Sequence, residues 1–136
     1  NQITLGNNQA PNGTRISNVA PGVQGTDAVN LNQLGGAVLQ ANQYTDRRAV
    51  ELQDSIKGVA TKAYAGVAAA MAMESAPYIP GKVTYAAGIG YYASQSAIAL
   101  SLRKTAESGH WSITGGVSAT ASGGVAVRAG ISGVWE

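Results

Sequence analysis

The residue types that could carry out chemistry are few in this sequence, and their spacing assembles no reactive site. His110 is the sole histidine and falls beside Glu107 and Ser108 in a segment of turn residues. A Ser-His-acid site needs side chains that converge in a pocket, and neighbours in one turn rarely do. Gly88 and Gly90 lie inside a strand-like pattern with no following helix, so they form no phosphate-binding loop. We therefore expect no enzyme activity and no cofactor.

Composition narrows the class of protein further. The 136 residues carry a formal net charge of only +2, and the basic residues are scattered, which argues against nucleic-acid binding. The absence of cysteine excludes disulfide scaffolds, thiolate metal sites and cysteine nucleophiles. The 18 glycines and the many alanines suit closely packed surfaces. The Ala-rich stretch 63–73 is too short for a membrane helix of about 20 residues, and with no opening signal peptide we expect a fragment or a mature part of an exported protein.

The first segment, up to about Leu34, is polar and rich in Asn, Gly and Gln. Asn12-Gly13 and Pro21-Gly22 are turn signals between short apolar pieces. Composition alone leaves a disordered leader open as an alternative for this segment.

The second segment has a heptad period. Apolar and small residues alternate at spacings of three and four, which favours a coiled coil over a helix packed on a globular core. Asn42 takes a core position and would set the register, whereas Pro77 and Pro80 end the helix. Towards the C-terminal end of the helix, the core positions hold only small side chains, and the other faces there are also formed by small residues. We therefore expect this part of the helix to be enclosed. The predicted coiled-coil core is Leu52, Ile56, Val59, Ala63, Gly66 and Ala70.

The third segment changes to a period of two and reads as four strands, at about 82–92, 97–103, 111–119 and 125–135. Each is near the 9–11 residues that cross a bilayer when tilted. One face is apolar, and the other consists of Gly, Ala, Ser and Thr. The aromatic residues predict girdles, with Tyr91 and Tyr92 at one rim and Trp111 and Trp135 at the other. The alternative is a soluble meander, which would need a more charged second face.

Four strands cannot close a barrel, and open edges are not tolerated in hydrocarbon. Two copies would leave no room for a helix, whereas three give about twelve strands and a lumen. We therefore predict a mixed fold, in which a trimeric coiled-coil helix runs into a twelve-stranded transmembrane antiparallel β-barrel, with four strands per chain and three helices in the lumen. Residues predicted to face this lumen are Gly88, Gly90, Gly116, Gly130, Arg103 and Arg128. The two arginines either bond helix carbonyls there or lie near the wet barrel ends.

Two stretches resemble a known family. The segment from about Val59 to Trp135 is similar to the C-terminal anchor domain of YadA-like trimeric autotransporter adhesins, except that Glu136 follows the final aromatic residue. The other stretch closely resembles the neck motif of that family, and it reads Arg15-Ile16-Ser17-Asn18-Val19-Ala20-Pro21-Gly22 followed by Thr26-Asp27-Ala28-Val29-Asn30-Leu31-Asn32-Gln33-Leu34.

The resemblance implies a division into the end of a passenger or head at 1–14, a neck at 15–35, a coiled-coil stalk and lumen helix at 36–75, and a barrel anchor at 76–136. The implied neck positions are Ile16, Asn18, Val19, Asp27, Ala28, Val29, Asn30, Gln33 and Leu34. Among them, Asp27 and Asn30 would satisfy backbone groups where the helix begins, and Val19, Val29 and Leu34 would be buried at the axis.

The resemblance also implies a homotrimer in a Gram-negative outer membrane, with neck and stalk exposed on the cell surface. Membrane lipid and the cell's barrel-assembly machinery would be partners. A host surface or matrix ligand would bind through the missing head. The anchor would also take part in exporting its own passenger. Two other classes remain as alternatives, a passive outer-membrane channel subunit and a soluble trimeric fibre protein.

Overall fold

The computed structural model describes residues 1–6 and 12–135, so residues 7–11 of the predicted passenger end and Glu136 of the predicted anchor lie outside the described residues. The described chain contains one helix followed by four strands: α1 Leu31–Ala72, β1 Val83–Tyr92, β2 Gln95–Thr105, β3 Trp111–Thr120 and β4 Val125–Gly133. It divides into two compact units, Asn1–Glu51 and Leu52–Glu136.

The helix α1 begins directly after Asn30, whose side-chain oxygen accepts a hydrogen bond from the backbone amide of Gln33 at 3.0 Å. This is an N-cap, which satisfies an amide that the helix itself leaves unpaired. The helix ends at Ala72, five residues before Pro77, so it starts earlier and stops earlier than the predicted stalk and lumen helix at 36–75. Within residues 1–6 and 12–135, no helix combines the length and the apolarity that a membrane crossing requires.

The four strands form one antiparallel sheet in the order β1-β2-β3-β4, which confirms the four strands per chain. The connection between β1 and β2 is tighter than the sequence suggests. Ala93 and Ser94 both take left-handed backbone angles, with φ of 46° and 64°, as a two-residue hairpin turn requires. Gln95 and Ser96 therefore belong to β2, where they pair with Tyr92 and Tyr91.

The alternation along the strands separates two faces of the sheet. On one face, Ala97, Ala99 and Ser101 of β2 are buried. On the other, large apolar side chains are exposed within the chain, and Ile89 keeps 83% of its surface accessible. We call these the inner face and the outer face. The helix packs on the inner face, so the apolar core of this unit consists of alanines.

Candidate functional site

The contact between α1 and the sheet is built from the smallest side chains available. Ala68, Ala69 and Ala72 of the helix pack against Ala97 and Ala99 of β2, and all five are at least nine-tenths buried. Alanines leave only a thin layer between two backbones, so the helix lies closer to the sheet than larger side chains would allow.

Two glycines of β1 make this approach possible. A Cβ placed on Gly90 would overlap the carbonyl oxygen of Ala68 and would lie 2.8 Å from the amide nitrogen of Ala72. A Cβ on Gly88 would overlap the carbonyl oxygen of Ala72. The backbone of α1 therefore lies directly on β1, and no other residue type fits these two positions without moving the helix.

Gly116 has different surroundings from Gly88 and Gly90. A Cβ there would lie 3.1 Å from the Oγ of Ser101 and 3.5 Å from the Cγ of Arg128. Its neighbours are side chains of β2 and β4, not the helix backbone. All three glycines share the inner face, but Gly88 and Gly90 alone among them seat α1.

The helix uses one side for its own sheet and leaves another side open. The residues buried within the chain are Ala65, Ala68, Ala69 and Ala72. The residues predicted for the coiled-coil core lie elsewhere on the helix and are all exposed within the chain: Leu52, Ile56, Val59, Ala63, Gly66 and Ala70. The two sets do not overlap, so packing on the sheet leaves the heptad positions available.

Arg103 ties the segment after the helix to the sheet. Its Nε donates to the carbonyl oxygen of Ala76 at 2.9 Å, and its Nη1 donates to the Oγ of Ser112 at 2.8 Å and to the Oγ of Ser132 at 3.4 Å. The guanidinium also lies 5.9 Å from the centre of the Tyr78 ring, within the range of a cation–π contact. The carbonyl that it binds belongs to the linker at 73–82 and not to the helix.

Arg128 is the second arginine on the inner face. It is exposed within the chain, and among residues 1–6 and 12–135 its side chain has no hydrogen bond or ion pair. It lines a shallow cavity together with Gly66 and Ala70 from the open side of α1 and with Met73, the first residue after the helix.

The aromatic residues predicted as girdles do not all share one face. The meander places Tyr91 at one end of the sheet and Trp111 and Trp135 towards the other, and all three are exposed. Tyr92, however, lies on the inner face, where its ring meets Tyr64 of α1 edge-on at 5.6 Å between ring centres. Tyr91 and Tyr92 therefore lie at the same end of β1 but on opposite faces, because successive strand residues point to opposite sides.

The neck positions form a network of hydrogen bonds around the start of α1. Gln33 binds Gly22 through both ends of its amide, accepting from the backbone amide at 2.9 Å and donating to the backbone carbonyl at 3.0 Å. The Nδ2 of Asn30 donates to the carbonyl oxygen of Val19 at 3.2 Å. Each bond joins the helix start to the chain eleven residues earlier, so the two side chains hold the preceding segment against the helix.

Asp27 stabilises the turn that leads into the helix. Its carboxylate accepts hydrogen bonds from the backbone amides of Val23 and Gln24, both at 2.8 Å. These bonds, with Gln24 contributing most, lower the pKa of Asp27 below its usual value, because they stabilise the charged form.

The apolar neck residues are not buried by the chain itself. Val19 is half-buried, whereas Ile16, Val29 and Leu34 are exposed. Asn18 takes a left-handed backbone angle, with φ of 58°, which asparagine adopts more readily than most residues. Asn18 and Ala28 line a shallow groove beside the helix start. The polar neck positions are thus satisfied within one chain, and the apolar ones are not.

Sequence reasoning did not find the role of the linker at 73–82. Pro77 was interpreted only as a helix breaker, yet its carbonyl oxygen accepts a hydrogen bond from the Oγ1 of Thr84. Ala76 is buried and holds Arg103. A non-periodic segment carries no face signal, so nothing in the pattern indicated that its carbonyls bind the sheet.

Two family models match separate parts of the chain. Residues 15–64 match the family model described as the coiled stalk of trimeric autotransporter adhesin, and residues 75–135 match the YadA-like membrane anchor domain. Both models describe structural parts of an adhesin and not an enzyme.

Curated relatives agree with these matches. The chain is 61% identical to the trimeric autotransporter adhesin AtaA of Acinetobacter sp. (strain Tol 5) over 79 residues, which are 58% of this chain and 2% of that protein. It is 40% identical to the autotransporter adhesin EhaG of Escherichia coli O157:H7 over 111 residues, 80% of this chain and 7% of that protein. It is 35% identical to the adhesin YadA of Yersinia enterocolitica over 71 residues, 51% of this chain and 17% of that protein. The chain therefore spans only a small part of each relative. On this evidence it belongs to the YadA-like trimeric autotransporter adhesins, of which it carries the coiled surface stalk and the outer-membrane anchor domain.

Proposed function

We propose that three copies of this chain form the anchor and export pore of a trimeric adhesin. Four strands from each copy close a twelve-stranded barrel, and the three C-terminal parts of α1 fill its lumen. The observation that carries this proposal is the pairing of a small-residue inner face, covered by a helix, with an outer face of exposed large apolar side chains. A soluble sheet would hide its large apolar side chains and expose its small polar ones.

The open edges of the sheet support closure by further copies. Among the described residues, β1 pairs only with β2 and β4 pairs only with β3. Unpaired backbone groups in hydrocarbon cost several kcal/mol each, so an anchor sheet must continue into another strand at both edges. Because β1 and β4 run antiparallel in the meander, β4 of one copy can pair with β1 of the next and preserve the alternation of faces.

The outer face matches a hydrocarbon environment along all four strands. Its side chains are large and apolar and remain exposed in the single chain: Tyr85, Ile89, Ile98, Leu100, Leu102, Ile113, Val117, Val127 and Ile131. An apolar area of this extent on a soluble monomer would promote aggregation. In a bilayer it becomes the surface of the anchor that contacts lipid.

Export through the same barrel is the second part of the proposal. After the barrel-assembly machinery has inserted the strands, the chains pass outward through the pore as hairpins, and α1 then fills it. The Gly- and Ala-lined inner face supports this order, because a passing hairpin needs clearance. A bulky residue at Gly116, which does not seat the helix, is expected to reduce surface display of the stalk more than membrane insertion. Normal display in such a variant would contradict threading.

A passenger attached to the neck would carry the adhesive activity. We assign it a host surface or matrix ligand, which is the class of target that an adhesin contacts. The neck and stalk would hold that passenger away from the membrane.

Gel mobility of the detergent-extracted protein from isolated outer membranes tests the anchor. The unboiled sample is expected to run near about 41 kDa, three times the 13.7 kDa of one chain, and to fall to the monomer after harsh denaturation. A monomer in both lanes would overturn the trimeric barrel. Recovery of a trimer from the soluble fraction would point instead to a fibre protein.

A further inference from the structure

We propose that Arg128 of one protomer forms an ion pair with Glu74 of the next protomer, across the joint between β4 and β1 inside the barrel. This inference rests on the proposed trimer and adds a specific polar contact to it. No such pair exists within one chain: among residues 1–6 and 12–135, neither side chain has a hydrogen bond or an ion pair.

Glu74 stands over the edge of the sheet. Its Cβ lies 3.5 Å from the point where a Cβ on Gly88 would be placed. Gly88 belongs to β1, which has no strand partner on its outer side among the described residues. The Glu74 side chain therefore starts above the edge strand where a second copy would dock, on the inner face.

Arg128 stands at the opposite edge of the same face. It belongs to β4, and the register of the sheet carries it across Gly116 and Ser101 to Ala86 on β1. Ala86 and Gly88 are successive residues of the inner face. Arg128 and Glu74 of one chain thus have similar heights along the strands, but they lie three strand spacings apart, roughly 14 Å.

Closure of the barrel brings the two charges together. When β4 of one copy pairs with β1 of the next, the strands are about 4.8 Å apart. Strand tilt adds a fixed stagger between copies. Two extended side chains bridge a displacement of about three residues along a strand, roughly 10 Å. For a stagger within that range, the neighbour's Arg128 lies closer to Glu74 than the Arg128 of the same chain does.

The other charges near Glu74 are less suitable partners. Arg103 is engaged by Ala76 and Ser112. Lys82 precedes β1, six residues from Gly88, which is roughly 20 Å along an extended strand. In a lumen lined by small residues, an unpaired charge is costly and a partner of opposite sign relieves that cost. Charge complementarity at the two open edges therefore selects a second copy of this chain as the occupant.

Charge reversal in the full chain tests the pair, with dissociation of the detergent-extracted trimer at raised temperature as the readout. Glu74→Arg and Arg128→Glu are each expected to shorten the lifetime of the trimer by roughly an order of magnitude or more, since each places like charges together. The double variant, Glu74→Arg with Arg128→Glu, is expected to recover most of that lifetime. The matched control combines Arg128→Glu with Glu107→Arg, which conserves the net charge but alters the 106–110 turn, and it is expected to recover none.

A double reversal that is no more stable than the weaker single variant overturns the pair, while an unboiled trimer of the unaltered chain keeps the anchor proposal intact. If the reversed chains do not reach the outer membrane, Glu74→Cys with Arg128→Cys gives the decision, because the chain has no other cysteine. A short bismaleimide is expected to join three chains covalently. Trimers whose boiled sample contains only monomers after this treatment refute the contact.

Discussion

The neck and the anchor satisfy their interactions in opposite ways. In the neck, Asp27, Asn30 and Gln33 bind backbone groups of the preceding segment in the same chain. In the anchor, the sheet leaves two strand edges unpaired among the described residues and exposes its largest side chains. A local polar network can therefore set the neck conformation, whereas in the proposed trimer the anchor is completed by lipid and by further copies. Substitutions should thus have small effects on helix stability in the neck and large effects on assembly in the anchor.

The largest effect on trimer stability is expected where the anchor has no space for an added methyl group. Gly90→Ala adds a methyl group that overlaps the carbonyl oxygen of Ala68, so the helix must move from the sheet. Overpacking of this kind costs about 1–3 kcal/mol, and each trimer contains three copies. The dissociation temperature of the detergent-extracted trimer should fall clearly. Gly115→Ala is the matched control, because the nearest atom to its Cβ is 3.9 Å away, and an equal loss in both variants would contradict the helix seat.

A smaller effect is expected at the polar contact that holds the linker. Arg103→Met removes the bonds to Ala76 and Ser112 and leaves a buried carbonyl without a partner. An unsatisfied buried group costs about 1–3 kcal/mol. Protease cleavage within 73–82 of the folded trimer should become faster.

Lys104→Met provides the comparison for Arg103, since Lys104 donates only to the exposed carbonyl of Gly81 at 3.1 Å. Its cleavage rate should stay close to that of the unaltered chain. Equal rates in the two variants would show that Arg103 does not hold the linker.

The periodic parts of this fold could be predicted from the sequence. The change from heptad spacing to alternation separated the helix from the four strands, and the family membership indicated by the neck motif is confirmed by the matches at 15–64 and 75–135. Alternation also placed Gly88 and Gly90 on one face with Ala97. These features depend on the spacing of residues that are close in the sequence, so one sequence is enough to show them.

Contacts between distant, non-periodic residues could not be predicted. The partner of Arg103 is a carbonyl 27 residues away in a segment without period. The contact of Tyr92 with Tyr64 of α1 likewise joins residues 28 positions apart, and alternation along β1 gives the face of Tyr92 but not its partner. The packing of α1 on β1 depends on contact between two backbones. Small residues in the sequence indicate that such a contact is possible, but they do not identify the strand on which the helix packs.

In the neck, the larger effect on helix stability is expected at the N-cap of α1. Asn30→Ala removes the acceptor for the Gln33 amide and the donor to Val19, and loss of an N-cap costs about 1 kcal/mol. Thermal unfolding of the helix by circular dichroism should shift to lower temperature, while the barrel trimer remains intact. Asn32→Ala, two residues further along the chain, should leave the unfolding temperature unchanged. A comparable shift in that variant would show that Asn30 does not act as the N-cap.

The smallest effect is expected from the protonation of Asp27. Its pKa is lowered by the amides of Gln24 and Val23, so the folded neck binds this proton less tightly than the unfolded chain. The stabilisation is therefore complete above the unfolded pKa of about 3.9 and is lost as the pH falls through the lower, folded value. Helix unfolding temperatures at pH 7, 5 and 3 should separate the unaltered chain from Asp27→Asn at pH 7 and 5, with the difference shrinking at pH 3. Because the carboxylate is exposed, the shift is small, and a difference that does not change with pH would mean that the charge of Asp27 contributes nothing beyond its hydrogen-bonding shape.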